Sequence, residues 1–252
     1  MYVGVCTISN KELPVTDVID VVANLDVDGI EPWGRGHVDG SLERAREIKD
    51  RAAAADLDIP VYGSYLRPGD ESFDAEYEHE LALCEALEAD LIRVWAGSEE
   101  YEEVSSDHWD TVVEDFETLA DAAEAVGVDV TVERHSGTVT NARAGAARLI
   151  DETPDTVGLN WQAVHTPDPE TIIEDAVELA PLSNNVHVQT AAAPDAGERC
   201  PLAYSYADIE GVIDAFAAAG FDGYLEIEFV TQRCSYAPAV AADVAFLRRV
   251  LA

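Results

Sequence analysis

Lysine is nearly missing from this chain. Lys11 and Lys49 are the only two, and the other thirteen of the 15 basic residues are arginines. Neither lysine falls on a late strand-like run, which argues against Schiff-base aldolase chemistry. The four cysteines, Cys6, Cys84, Cys200 and Cys234, show no CxxC spacing, so neither a structural zinc site nor a disulfide framework is indicated. Reduced and mostly packed thiols are expected. No apolar run approaches the roughly 18 residues that span a bilayer. No GxGxxG or GxxxxGK follows a strand-like run, and HExxH does not occur, so the local signatures of nucleotide binding and of helical zinc sites are absent. The opening MYVGVCTIS runs straight into a strand pattern instead of a charged leader, and a cytoplasmic protein without a membrane partner is expected.

Acid is what the chain has in excess. Its 51 Asp and Glu against 15 Lys and Arg give a formal net charge of −36. With 48% hydrophobic residues it is still no disordered tail, because a chain of this length buries about three quarters of its unfolded surface. So negative a surface repels phosphate backbones and anionic lipids, which argues against nucleic-acid partners. The acidic, lysine-poor composition is similar to that of salt-accumulating extreme halophiles, as in a haloarchaeon, whose cytoplasm screens charge over about 3 Å at 1 M salt.

Eight strand-like runs alternate with helical periodicity: Tyr2–Ile8, Gly29–Trp33, Ile59–Leu66, Leu91–Trp95, Asp129–His135, Val157–Gln162, Asn185–Thr190 and Tyr224–Val230. Eight βα units in this length predict one (β/α)8 TIM barrel domain over residues 1–252, with a doubly wound open sheet as runner-up. Thr16 and Asp168 read as caps or first-turn residues, and Gly127 and Gly220 as helix stops. The longest loops, over 67–77, 97–107 and 191–204, would all follow strands, on the face where barrels carry chemistry.

Side chains alternate faces along a strand, so parity sorts them. Val130, Val132, Ile92, Val94, Val186, Val188, Leu225 and Ile227 form an apolar set suited to packing under helices. The opposite, inward set holds Glu31, Trp33, Arg93, Trp95, Glu133, His135, Asn160, Gln162, Asn185, His187, Gln189, Glu226 and Glu228. Ordinary barrel interiors are filled by branched apolar residues, so this set needs a reason. Glu226 reads as part of a hydrogen-bonded polar core, with Arg93 neutralising a glutamate. Glu133, His187 and Glu228, at strand ends, would converge on one mouth. Two carboxylates and an imidazole so close require a cation or a proton, and the donor set suits Mn²⁺, Mg²⁺ or Co²⁺.

These motifs resemble the xylose isomerase-like barrels, a family that includes sugar phosphate isomerases and epimerases, inosose dehydratases and endonuclease IV. DGIEPWG resembles the family's second strand, LIRVWAGS its fourth, VTVERHSGTVTNA its fifth, VGLNWQAVH its sixth, NNVHVQTA its seventh and GYLEIEFV its eighth. The resemblance implies a metal set at Glu133, Gln162, His187 and Glu228, where Gln162 replaces the usual carboxylate. It implies a sugar or sugar-phosphate isomerase or epimerase in which Glu133 and Glu228 exchange a substrate proton beside a carbonyl. Glu31, Trp95, His135 and Arg199 are then the expected substrate contacts, Arg199 towards a phosphate or carboxylate. Trp33 and Trp161 read as a ring wall or as core, and His165 as able to reach the site. His37, His79 and His108 read as surface residues. A small sugar or sugar acid is the expected partner, and dimers or tetramers are common in the family. Endonuclease activity is not expected, since VYGSYL and RVWAG lack the extra histidines. The alternatives are a metal-free or non-catalytic barrel that binds a small polyol or sugar acid, and an inosose dehydratase-like lyase.

Self-repulsion at −36 sets one expectation directly. Thermal melts followed by circular dichroism should show a midpoint that falls steeply from molar KCl to millimolar salt. An unchanged midpoint would remove screening from the account.

Overall fold

The computed structural model describes residues 1–252 apart from His165 and Pro167. Its strands are β1 (Tyr2–Cys6), β2 (Gly29–Glu31), β3 (Val61–Gly63), β4 (Leu91–Val94), β5 (Asp129–Glu133), β6 (Val157–Trp161), β7 (Ser183–Val188) and β8 (Tyr224–Ile227). Each is followed by its helix: α1 (Val15–Val22), α2 (Leu42–Ala54), α3 (Phe73–Leu87), α4 (Ser106–Val126), α5 (Arg143–Glu152), α6 (Pro169–Leu179), α7 (Ile209–Ala218) and α8 (Tyr236–Leu251). Neighbouring strands are parallel in the order β2-β1-β8-β7-β6-β5-β4-β3. The remaining seam, between β2 and β3, is joined by Ile30 N–H to Asp58 O at 2.9 Å and Gly63 N–H to Pro32 O at 3.1 Å. The result is a single α/β TIM barrel, and the open-sheet runner-up falls away.

Local chemistry sets the element ends. Ser41, Ser105, Asp168 and Asp208 accept backbone N–H groups at the starts of α2, α4, α6 and α7. Gly127, at φ 76°, ends α4 in the left-handed conformation that suits glycine. Thr16 is not a cap: α1 starts at Val15 behind Pro14, so Thr16 already lies inside the helix. β2 ends at Glu31, two residues earlier than its pattern predicts, because Pro32 has no N–H to continue the ladder.

Beyond Pro32, residues Gly34–Val38 form a wide π-type turn. His37, expected at the surface, is buried in it, with Nδ1 2.8 Å from Thr7 Oγ1 and Nε2 3.1 Å from Leu13 O. Thr7 Oγ1 also accepts Trp33 N–H at 2.8 Å, so this knot fixes Trp33 at the mouth.

The apolar parity set packs outward beneath the helices, where Ile92, Val94, Val130, Val132, Val186, Leu225 and Ile227 are all buried. Trp161 joins it, edge-on to Phe216 of α7 at 5.5 Å. Cys6, Cys84 and Cys200 are buried free thiols and Cys234 is exposed. Among the described residues no helix is long and apolar enough to cross a membrane.

Inside the barrel, two strands contribute space instead of side chains. A Cβ on Gly4 of β1 would come within 2.8 Å of Glu226 Cγ, and one on Gly63 of β3 would stand on Glu31 Oε1 and 2.9 Å from Arg93 Nη2. Gly63→Ala should therefore overpack the interior and cost about 1–3 kcal/mol in denaturant melts. Gly197→Ala, where a Cβ meets nothing within 4 Å, should be near neutral. Equal stabilities would mean that the interior has slack.

Candidate functional site

The polar interior is built in levels. Deepest, Asn185 Nδ2 of β7 donates to Asn160 Oδ1 at 3.1 Å and to Glu226 Oε2 at 2.9 Å. Glu226 is fully buried, and its other oxygen lacks a donor. Burial, reinforced by the charge of Glu31, holds its pKa well above the carboxylate range, which favours the protonated acid.

Above it, Glu31 binds three partners. His187 Nε2–H donates to Oε2 at 2.6 Å, Cys6 Sγ reaches the same oxygen at 3.5 Å, and Arg93 Nε–H donates to Oε1 at 2.9 Å. Burial alone would raise the pKa of Glu31, but His187 and Arg93 overcome it and lower the value. The converse holds for His187: burial disfavours its charge, yet Glu31 makes the net shift upward. Arg93 also donates through Nη1 to Glu133, so one guanidinium bridges the ends of β2 and β5.

The upper level faces the mouth. Glu133 accepts Trp95 Nε1–H at 2.6 Å and Gln162 Nε2–H at 2.6 Å. Gln189 Nε2 donates to Gln162 Oε1 at 2.6 Å and to Glu228. Glu228, 8% exposed, retains contact with solvent. Burial chiefly, with help from Glu133, lifts its pKa to about 7 against the opposing pull of His187. It therefore exchanges a proton near neutrality, the property a general acid–base group needs.

Glu133, His187 and Glu228 each present one ligand atom within 4.8 Å of the others. Among the described residues His187 Nδ1 has no hydrogen-bond partner, and it lies 3.8 Å from Glu228 Oε2, while Nε2 is held by Glu31. A carboxylate behind a histidine, with the second ring nitrogen turned towards further carboxylates, is the arrangement that orients imidazole for a divalent ion. These three residues thus fit a metal, which would compete with a proton for Nδ1. Gln162 sits beside them but turns its nitrogen to Glu133; its oxygen faces Gln189. Rotation of the amide would reverse this.

The chain matches the model of the xylose isomerase-like TIM barrel over residues 19–250. It belongs to that family. No curated protein sequence matches it. Among solved structures, the probable 3-DHS dehydratase of Bacillus anthracis is similar with a TM-score of 0.83 at 17% identity, over 98% of this chain and 99% of that one. A xylose isomerase-like protein from Mycobacterium smegmatis in complex with magnesium gives 0.76 at 18%, over 99% and 96%. The 3-keto-D-glucoside 4-epimerase of E. coli gives 0.77 at 17%, over 99% of each chain. At such identities the likeness to these structures is one of fold.

Within this xylose isomerase-like barrel the expected residues occupy different positions. Glu133, Gln162, His187 and Glu228 meet. Glu31, expected as a substrate contact, lies beneath them, 2% exposed, with its oxygens engaged by Arg93 and His187. Trp95 and His135 stack at 4.5 Å on the rim, and Arg199 lies 5.4 Å from the Phe229 ring. His165 lies outside the described residues. Gln189 and the double role of Arg93 were not assigned from the sequence, although parity had already turned both inward.

Arg93→Met would leave Glu31 and Glu133 buried without their shared cation. The expected loss is about 3–5 kcal/mol in chemical denaturation. A loss below 1 kcal/mol would show that the bridge is dispensable.

Proposed function

We propose that this barrel transfers a proton at a carbon next to a carbonyl of a small hydroxylated substrate, as a carbohydrate isomerase or epimerase. The observation that carries the reading is the meeting of Glu133 from β5 and Glu228 from β8 across His187, with Glu228 titrating near neutrality. Glu228 takes the proton from the carbon, because it is the solvent-accessible carboxylate of the pair and retains a basic form at neutral pH. Glu133, fixed by Arg93, Trp95 and Gln162, faces it; it returns a proton when it enters the cycle protonated, which leaves the abstracted proton on Glu228, and otherwise Glu228 gives the abstracted proton back. Return to the neighbouring carbon isomerises; return to the opposite face epimerises.

A divalent ion, Mn²⁺, Mg²⁺ or Co²⁺, would be held by Glu133, His187 and Glu228, with the Gln162 oxygen as a neutral fourth donor after amide rotation. When bound it supplies positive charge that favours the enediolate. The amide in place of a carboxylate predicts weaker retention of the ion than a three-carboxylate set would give.

The dehydratase-like reading has one observation in its favour, the TM-score of 0.83 to the Bacillus anthracis protein. It shares the first proton abstraction and then expels a hydroxyl. Incubation with ketoses, keto acids and their phosphates in deuterated water, read by NMR, should label the α-carbon of at least one compound. Glu228→Gln and Glu133→Gln should each slow labelling by about 10²–10⁴-fold. Chelation should slow it too, with Mn²⁺ or Mg²⁺ restoring it. If all compounds stay unlabelled in every metal condition, the proton-transfer reading fails.

A further inference from the structure

The lower level of the interior holds a second donor set, made by four strands that are neighbours in the order β2-β1-β8-β7. Register brings it together. Cys6 of β1 stands opposite Glu31 of β2, and His187 of β7 opposite Glu226 of β8. All four are buried, and each presents a ligand atom within 4.8 Å of the others: a sulfur, an imidazole nitrogen and two carboxylate oxygens. Gly4, opposite Glu226 on β1, leaves the room that the Glu226 side chain fills. His187 is common to this set and to the one at the mouth. It turns Nδ1 towards Glu228 above and Nε2 towards Glu31 below.

The spacing is close to that of a tetrahedral ion. With bonds of about 2.3 Å from zinc to sulfur and 2.0 Å to oxygen, the two ligand atoms stand about 3.5 Å apart. Cys6 Sγ and Glu31 Oε2 are at 3.5 Å. His187 Nε2 and Glu31 Oε2, at 2.6 Å, would open by about 0.7 Å once an ion replaces the proton between them. Glu31 keeps its other oxygen on Arg93 throughout. Among the described residues Glu226 Oε1 has no hydrogen-bond partner, so this fully buried set contains an acceptor that the fold leaves unused.

Charge balances as well. Burial, reinforced by Glu31, pushes up both the Cys6 thiol and the Glu226 carboxyl, which favours their protonated forms. A divalent ion that arrives as those two protons leave keeps the net buried charge unchanged. Among the described residues Cys6 is the one thiol that donates to a carboxylate, whereas Cys84 and Cys200 donate to backbone carbonyls. A thiol packed only as a small hydrophobe needs no such partner.

We infer that Cys6, Glu31, His187 and Glu226 form a second metal site beneath the candidate active site, selective for a thiophilic divalent ion of the zinc class. Its sulfur distinguishes it from the set at the mouth, whose oxygens suit Mn²⁺ or Mg²⁺. On binding, the Cys6 and Glu226 protons pass to solvent and the Nε2 lone pair goes to the ion. A neutral imidazole carries one proton, which then sits on Nδ1, 3.8 Å from Glu228. An ion below thus takes the nitrogen on which an ion above depends, and the two sites oppose each other. The deep site stands apart from the proton-transfer reading; the opposition rests on its metal.

Cobalt reports the deep site directly, because a thiolate ligand gives Co²⁺ a near-ultraviolet charge-transfer band that nitrogen and oxygen ligands do not. Co²⁺ is added to chelator-treated protein in molar KCl, and in a parallel sample is present during refolding, so that burial does not bar entry. One equivalent per chain should develop the band, which Zn²⁺ should bleach and Mg²⁺ should leave. Cys6→Ser should abolish it while keeping the circular dichroism spectrum, and Glu226→Gln should weaken Co²⁺ binding by about tenfold or more. Glu228→Gln and Cys234→Ser should retain the band. No band in the unmodified protein by either route, or one that survives Cys6→Ser, overturns the inference. Mn²⁺, followed by electron paramagnetic resonance, should bind the cobalt-loaded chain about tenfold or more weakly than the metal-free chain. Equal Mn²⁺ affinity beside a full band would overturn the opposition through His187. Mn²⁺ binding to neither form would sink the upper ion, and the opposition with it, while the band upholds the deep site.

Discussion

Four glutamates buried inside one barrel are the constraint on which the rest of this structure depends. Moving an isolated carboxylate into such an interior costs several kcal/mol even after relaxation, so each must be paired, hydrogen-bonded or protonated. The barrel uses all three solutions. Glu31 and Glu133 share Arg93, Glu31 also holds His187, and burial favours the protonated form of Glu226 while Asn185 donates to it. Glu228 is left part-way, with its pKa raised to about 7 by burial and still in contact with solvent. The group least neutralised by the fold is thus the one best placed for proton transfer.

The same network sets the geometry of the candidate site. Arg93 joins β2 to β5 through β4, and His187 joins β2 to β7, so strands far apart in sequence are tied by charge across the interior. Glycines at Gly4 and Gly63 leave the volume that this bridging requires. Outside the barrel Arg134, on the residue after Glu133, pairs with Asp175 of α6 and donates to the Gln162 carbonyl at 3.2 Å. The backbone carrying Glu133 and that carrying Gln162 are therefore held together from behind.

Charge is partitioned between three zones. The outer surface carries the acidic excess, and most of its cations are paired. The buried centre sets Arg93 and His187 against Glu31 and Glu133. Between them, the rim places cations on rings, where they retain their field.

The sequence by itself determined the eight βα units, the split of each strand into apolar and polar faces, and hence which residues point inward. Those properties are local: period two along a strand and three to four along a helix are written in consecutive residues. Glu133, His187 and Glu228 were legible for that reason, as strand-end members of the inward set. Tertiary structure alone decided which partners they meet. That Arg93 bridges two glutamates, that Glu31 turns inward to His187, that Gln162 shows its nitrogen to Glu133, and that His37 is buried under Thr7 all depend on how strands far apart in the chain close around one axis. The depth of a side chain in a barrel, and the charge it finds there, arise only when that closure brings the strands together.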